Sequence, residues 1–187
     1  MKVSKRLALG ATAVAAVGIA LPATAGNGTH GDGSAPCVNM TTGQQDGTVT
    51  WNPTTVWPPN HKMQTVTISY TADADVPGDQ SVITIGAITD NQAASDGSDE
   101  LKGSGQPTDK QGLDWSGTGN TASADEGTPA TTTAQVRAER SGTSQAGRTY
   151  SIQVMCGEND GGTGVMAPQE QGTATVTVTV PHDQGNN

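Results

Sequence analysis

Residues 174–180 read ATVTVTV, and this stretch decides the fold class. Successive side chains of a β-strand point to opposite faces, so the apolar residues share one face and the threonines share the other. Such alternation is typical of a strand with one buried face and one hydrated face. Pro181 follows directly, and it ends the strand because proline cannot donate to a sheet.

The same period recurs in four earlier segments. They read VTISY (66–70), ITIGA (83–87), AQVRA (134–138) and YSIQVMC (150–156). Beyond residue 25 there is no Phe, Leu101 and Leu113 are the only leucines, and no segment of useful length has helical periodicity. One-sided strands without helices must cover their apolar faces with a second sheet. We therefore predict an all-β protein, a β-sandwich of about seven short strands.

The N-terminus has the pattern of a secretory signal peptide. Lys2, Lys5 and Arg6 precede an apolar run over residues 7–21, and PATA at residues 22–25 supplies small residues for cleavage after Ala25. The apolar run is shorter than the roughly 20 residues of a membrane span. We expect a secreted, extracellular protein without membrane insertion.

Composition suggests the boundaries within the mature chain. Residues 26–45 are rich in Gly, Asn, Ser and Thr and predict a flexible leader. The sandwich domain is predicted over residues 46–184, followed by a tail at 185–187. Inside the domain, residues 90–132 form a long polar loop with one short strand expected near residues 113–116.

The charge of the chain excludes some partners. The full sequence has 9 basic and 18 acidic residues, a formal charge of −9. Removing the three basic residues of the signal leaves six against 18 acidic ones, a charge of −12. A field of this sign repels nucleic acid and anionic membrane surfaces. The expected partner is an extracellular protein or a glycan.

The chain contains two cysteines, Cys37 and Cys156. In a secreted chain, two cysteines most simply form one disulfide. The bridge would tether the leader to the apolar face of the strand that contains Cys156.

Four sequence blocks together resemble one family. The blocks are WPPNHKM (57–63), VRAER (136–140), GRTY (147–150) and VTVPHDQ (178–184). In this order they are similar to bacterial secreted and surface modules of the Ig-like type, related to hyalin-repeat (HYR) domains. The resemblance covers roughly residues 48–184, and it implies an Ig-like β-sandwich that acts as an adhesive or spacer module without catalysis. The chain departs from the family pattern at residues 155–162, which read MCGENDGG in place of the usual TATDxxGN turn.

Catalytic patterns are weak in this sequence. His30 lies in the leader and His182 follows the last strand, so a Ser-His-Asp site would have to centre on His61. The sequence contains no nucleophile elbow and no zinc-binding spacing. We therefore expect a protein that is not an enzyme.

Acidic residues near predicted strand ends are candidates for a calcium site. They are Asp73, Asp75, Asp90, Glu158 and Asp160. Alternate loops of an Ig-like sandwich gather at one end, where carboxylates and carbonyls can form an oxygen cage suited to calcium. The alternative is a set of solvated loop carboxylates that bind no cofactor.

Two tryptophans are candidates for binding. Trp57 and Trp115 either stack on a sugar or peptide, or pack as structural residues at the end of the sandwich and under the long loop. Arg137 and Arg140, with Glu139 between them, are interpreted as surface charges.

The sequence thus predicts a secreted, non-catalytic Ig-like adhesion or interaction module. One alternative is a carbohydrate-binding module. Another is an inhibitor of an extracellular enzyme that uses residues 90–132 as its inserted segment.

Overall fold

The computed structural model describes residues 31–60, 62–73, 79–92, 114–125, 127–140, 147–159 and 171–182. Within these ranges the chain is all-β, which confirms the predicted class. The strands are β1 (Gly33–Asn39), β2 (Gln45–Asn52), β3 (Met63–Thr71), β4 (Gln80–Asp90), β5 (Trp115–Ser116), β6 (Thr121–Asp125), β7 (Ala130–Arg137), β8 (Arg148–Asn159) and β9 (Gly172–Val180). No helix in these ranges has the length and apolar character needed to span a membrane. The predicted signal peptide (1–25) and tail (185–187) lie outside the described residues.

All the strands belong to one antiparallel sheet with the order β5-β7-β3-β2-β1-β9-β8-β4-β6. The two edge strands, β5 and β6, follow each other in the chain and are joined by residues 117–120. This turn contacts both sides: Gly119 N donates to Ile85 O (2.8 Å), and Asn120 Nδ2 donates to Thr133 O (2.8 Å). The sheet is therefore curled into a half-barrel whose edges are held near each other by one short connection.

The inner face of the curled sheet forms the core. The predicted alternation is confirmed in β3, β7, β8 and β9, where every second residue is buried. The buried residues of these strands include Val66, Ile68, Tyr70, Ala134, Val136, Tyr150, Ile152, Val154, Cys156, Val176, Val178 and Val180. Burying these side chains removes apolar surface from water, which is the main driving force for folding.

Strand β4 departs from the predicted alternation. Ile83 and Ile85 are buried as predicted, but Ala87 is exposed and Ile88 is buried in its place. The pairing of β4 with β8 shifts register between Ile85 and Ile88. An extra residue at such a bulge moves the following side chains to the other face, so the prediction for Ala87 is wrong.

Strand β1 joins the two halves of the sheet. Residues 33–36 and Val38 pair with β2, and the register of this pairing shifts between Pro36 and Val38. Val38 and Asn39 also border β9, where they pair with Thr173 and Gly172. Residues 31–45, predicted as part of a flexible leader, instead form β1 and the turn into β2. The sequence GSAPCVN has few strand-favouring residues, so its conformation depends on hydrogen bonds from β2 and β9 rather than on local propensity.

The predicted disulfide is confirmed. Cys37 and Cys156 are bonded, with 6.2 Å between their Cα atoms, and both residues are fully buried. The bond connects β1 to β8 across a sequence separation of 119. A disulfide of this kind is typical of proteins folded in an oxidising, extracellular environment.

Candidate binding surface

A buried ionic cluster lies where β7 ends and β8 begins. It consists of Asp114, Arg137, Glu139 and Arg148. The carboxylate of Asp114 lies between two guanidinium groups, with Oδ1 3.4 Å from Arg137 Nε and Oδ2 3.4 Å from Arg148 Nη1. Glu139 Oε2 is 3.6 Å from Arg137 Nε. Because these groups compensate one another in charge, the ions can be buried without a large uncompensated desolvation cost.

The interpretation of Arg137 and Glu139 as surface charges is wrong. Arg137 is 8% exposed and Glu139 is 1% exposed. The chain before β5 covers this region, since Arg137 N donates to Asp114 O (2.7 Å). Arg140 is only half-buried. Alternation in the sequence predicts which face of the sheet a side chain lies on. Whether that face is exposed to solvent depends on whether another part of the chain covers it.

Tyr150 links the ionic cluster to the core. Its hydroxyl donates to Arg137 O (2.9 Å) and accepts from Arg148 Nη1 (3.1 Å). Burial raises the pKa of the Tyr150 phenol well above its usual value, while the nearby Arg148 opposes part of that rise. The phenol therefore stays neutral and keeps its donor hydrogen across the physiological range.

Arg148 also fixes both ends of the segment between β4 and β5. Its Nε donates to Gln92 Oε1 (3.3 Å) at one end, and its Nη1 pairs with Asp114 at the other. Gln92 Nε2 in turn donates to Gly147 O (3.1 Å). Residues 93–113, which contain about half of the predicted long loop, lie outside the described residues. The ionic cluster is thus an anchor for the chain, and its burial leaves little of it accessible to a ligand.

The candidate calcium ligands are separated in the fold. Asp73 and Glu158 lie at one end of the sheet, where Ala72 N donates to Ser81 Oγ and Ser81 pairs with Glu158. Asp90 ends β4 at the opposite end, beside Tyr150. Asp75 and Asp160 lie outside the described residues. Across the described ranges, no three His, Cys, Asp or Glu side chains are grouped closely enough to hold a metal ion.

The candidate tryptophans occupy different environments. Trp115 packs against the core and meets the Tyr150 ring edge-on, with 6.5 Å between the ring centroids. This contact supports the structural interpretation of Trp115. Trp57 is half-buried in the connection between β2 and β3, and the neighbouring His61 lies outside the described residues.

Trp51 of β2, which the sequence analysis did not single out as a candidate, packs beside the first residue of β1, Gly33. Its indole Nε1 donates to Thr177 O of β9 (3.0 Å). The ring lies against Gly33, since a Cβ added to that glycine would be 2.0 Å from Trp51 Cε2. Trp51 therefore links β2 to β9 beside the part of β1 that pairs only with β2.

An open groove lies on the outer side of β1, β2 and β3 at this same end. Its volume is about 410 Å³. Gly33, Trp51 and six polar residues line the groove. The polar residues are Asp32, Ser34, Thr50, Asn52, Thr67 and Ser69. We call this surface the hydroxyl groove.

Strand register organises the polar side chains of the hydroxyl groove. Ser34 pairs with Thr50, Thr50 pairs with Ser69, and Ser69 pairs with Thr131, so four hydroxyl residues form a row across β1, β2, β3 and β7. At the rim, Asn52 Nδ2 donates to Asp32 Oδ1 (2.7 Å) and to Gly31 O (3.2 Å). These two bonds hold a carboxylate and an amide side by side next to the row.

Part of the row is available to a ligand. Ser69 Oγ and Thr131 Oγ1 are hydrogen-bonded to each other (2.8 Å). In the part of the chain that the structure describes, the exposed hydroxyls of Ser34 and Thr50 in the row, and of Thr67 beside it, take part in no hydrogen bond. Sequence periodicity predicted that Thr67 and Ser69 lie on a hydrated face. It could not predict the groove, because the groove depends on the register between β1, β2 and β3.

Comparison with known proteins adds no relative. No protein-family model, no curated protein and no solved structure matches this chain.

Proposed function

We propose that this chain is a secreted, non-catalytic Ig-like module, related to HYR domains, that serves adhesion or interaction in the extracellular space. The order of the strands carries the proposal. On one side of β1 lie β2, β3, β7 and β5, and on the other lie β9, β8, β4 and β6. The order within each set resembles the strand order of one layer of an Ig-like sandwich, A-B-E-D for the first set and G-F-C-C′ for the second, with β1 as an additional strand between them.

A parallel contact supports the same assignment. Thr55, in the segment that follows β2, forms a parallel bridge with Thr179 of β9. Val56 N donates to Thr179 O (2.8 Å), and Thr179 N donates to Thr54 O (2.9 Å). The chain that leaves β2 therefore also borders β9, which belongs to the other set of strands.

Tyr150 supplies further support. Ig-like sandwiches have a tyrosine near the start of strand F whose hydroxyl bonds the backbone upstream, a feature called the tyrosine corner. Tyr150 lies near the start of β8, the strand that corresponds to F, and its hydroxyl donates to Arg137 O at the end of β7. The chain differs from the Ig-like pattern in one respect. Strand β6, which lies beside β4, follows β5, which lies beside β7, whereas the corresponding strand C′ of an Ig-like sandwich precedes strand D.

The outer surfaces support a binding role. Exposed positions on β2, β3, β7 and β9 are occupied mainly by threonine, including Thr50, Thr67, Thr133, Thr175 and Thr177. Such faces can form many hydrogen bonds without the desolvation cost of burying charges. The disulfide between Cys37 and Cys156 agrees with an extracellular setting.

Saturable retention on extracellular material tests this proposal. The secreted, disulfide-bonded chain is incubated with intact cells, purified cell-wall polysaccharides and immobilised secreted proteins, with excess calcium or with a chelator. We expect retention on at least one of these that is lost when the chain is heat-unfolded. Absence of saturable retention on all of them contradicts the adhesive role, and chemical conversion of any polymer contradicts the non-catalytic assignment.

A further inference from the structure

We infer that the hydroxyl groove is a binding site for a neutral oligosaccharide. This inference rests on the proposed function, because it names the ligand class that one surface of the module takes. The groove is open and about 410 Å³ in volume, and it is lined by six residues with hydroxyl, amide or carboxylate side chains together with Gly33 and Trp51.

The polar groups of the hydroxyl groove match the chemistry of a sugar. Each sugar hydroxyl both donates and accepts hydrogen bonds, and the hydroxyls of Ser34, Thr50 and Thr67 can do the same. Within the described residues these three hydroxyls make no hydrogen bond of their own, so a ligand displaces only water. The threonine methyl groups beside them offer apolar contact to the C–H groups of a sugar ring.

Asp32 and Asn52 add directional recognition at the rim. The Asn52 amide donates to Asp32 Oδ1 (2.7 Å) and to Gly31 O (3.2 Å), which fixes the orientation of both side chains. The Asp32 carboxylate has a second oxygen, and an ionised acceptor forms stronger hydrogen bonds than a neutral one. A hydroxyl donor placed at this rim gains a charge-assisted bond that an anionic group does not.

The length of the row favours an oligosaccharide over a single sugar. Ser34, Thr50, Ser69 and Thr131 lie on four neighbouring strands in register. Neighbouring strands are spaced about 4.8 Å apart, so the row is about 14 Å long. An extended chain that crosses the strands can contact the row at successive sugar units.

Charge selects a neutral ligand. Asp32 is exposed at the rim, and the chain without its predicted signal has a formal charge of −12. Uronic acids, sulfated sugars and phosphate polymers are repelled by such a field, whereas uncharged sugars are not.

Nuclear magnetic resonance of the secreted full chain tests the site directly. The probes are cellotetraose, mannotetraose and chitotetraose as neutral oligosaccharides, with tetragalacturonate as the anionic comparison. We expect at least one neutral probe to shift the backbone amides of residues 50–52 and 67–69 and the side-chain amide of Asn52. Tetragalacturonate should leave the same resonances in place.

Isosteric variants provide the matched control. Thr50→Val with Thr67→Val removes two groove hydroxyls, and Thr175→Val with Thr177→Val removes two exposed hydroxyls from β9. Valine retains the shape of threonine and favours strands, so both double variants should fold. The groove variant should bind the neutral probe about tenfold more weakly, because it loses the hydrogen bonds that two groove hydroxyls make to the sugar. The β9 variant should bind like the parent.

The possible outcomes separate this inference from the proposed function. Shifts that map to another surface, or an equal loss in both double variants, overturn the groove assignment but agree with an adhesive module. Absence of binding to every neutral probe also overturns the groove assignment, and retention on a secreted protein then assigns the module a protein partner. Stronger binding of tetragalacturonate than of the neutral probes contradicts the proposed ligand class.

Discussion

Arg148 Nη1 lies 3.4 Å from Asp114 Oδ2, and both side chains are buried at the point where β8 begins. The two residues come from parts of the chain separated by β5, β6 and β7, and the same carboxylate also pairs with Arg137. This contact attaches the chain that precedes β5 to the main sheet. Arg137 and Glu139, which were interpreted from the sequence as surface charges, belong to the same buried cluster.

Removal of the shared carboxylate should strongly destabilise the protein. In Asp114→Ala, Arg137 and Arg148 both lose a buried counter-charge, and breaking a buried ion pair costs about 3–5 kcal/mol. The free energy of unfolding is measured by urea denaturation. Lys62→Ala, which removes an exposed charge, serves as the control and should change stability by less than about 0.5 kcal/mol. Equal stability of the two variants would show that the ionic cluster does not hold the fold together.

Tyr150 should make the protein sensitive to alkali. Burial raises the pKa of its phenol in the folded state above the value of about 10 in the unfolded chain. Stability from this group is therefore complete below about pH 10 and declines as the pH rises further, by about 1.4 kcal/mol per pH unit until the folded-state phenol also ionises.

The comparison that isolates this effect uses Tyr150→Phe. The variant loses the hydrogen bonds to Arg137 and Arg148, so it should be less stable at neutral pH. Its stability should decline less than that of the parent between about pH 9 and pH 11.5, since it lacks the ionising phenol. Parallel pH curves for parent and variant would contradict a raised pKa at this position.

Loss of the disulfide should lower the stability of the protein and increase local opening mainly in β1. In the chain-entropy model, closing a loop of this length contributes about 4–5 kcal/mol, so Cys37→Ala with Cys156→Ala should lower the unfolding free energy by up to that amount. Amide hydrogen exchange should rise more in β1 than in β3, because β1 is the strand that the bond anchors. A uniform rise in exchange across both strands would argue against a local tether.

Gly33 should not tolerate a side chain. An added Cβ would lie 2.0 Å from Trp51 Cε2, and the Trp51 indole is held by its bond to Thr177 O. We expect Gly33→Ala to cost about 1–3 kcal/mol through overpacking and to change the tryptophan fluorescence. Gly86→Ala is the control, because its closest contact would be an ordinary 3.4 Å to Gln153 O. Similar stability of the two variants would show that Trp51 moves freely.

Local sequence patterns predicted the inner face of most strands. Val176, Val178 and Val180 are buried as their alternation requires, and the same holds for Ile152 and Val154 in β8. The position of β5 at Trp115 and Ser116 also agrees with the expected short strand. These features depend on the two-residue period of a strand, which appears in the sequence as alternating apolar and polar residues.

Other features depend on contacts between distant residues. Ala87 is exposed because the pairing of β4 with β8 contains a bulge, and a bulge is a property of two strands together. Strand β1 has weak local propensity and forms through its bonds to β2 and β9. Of the candidate calcium ligands, Asp73 follows β3 and Asp90 is the last residue of β4, and the sheet places them at opposite ends.

By itself, the sequence determined that the protein is all-β, which faces of its main strands are apolar, and that its two cysteines pair. Those properties follow from side-chain period, strand propensity and the presence of only two thiols. Only the tertiary structure decided that Arg137 and Glu139 are buried and that Ser34, Thr50 and Ser69 form one row. The physical reason is that burial and alignment are set by which strand lies beside another and in which register, and no local pattern encodes that choice.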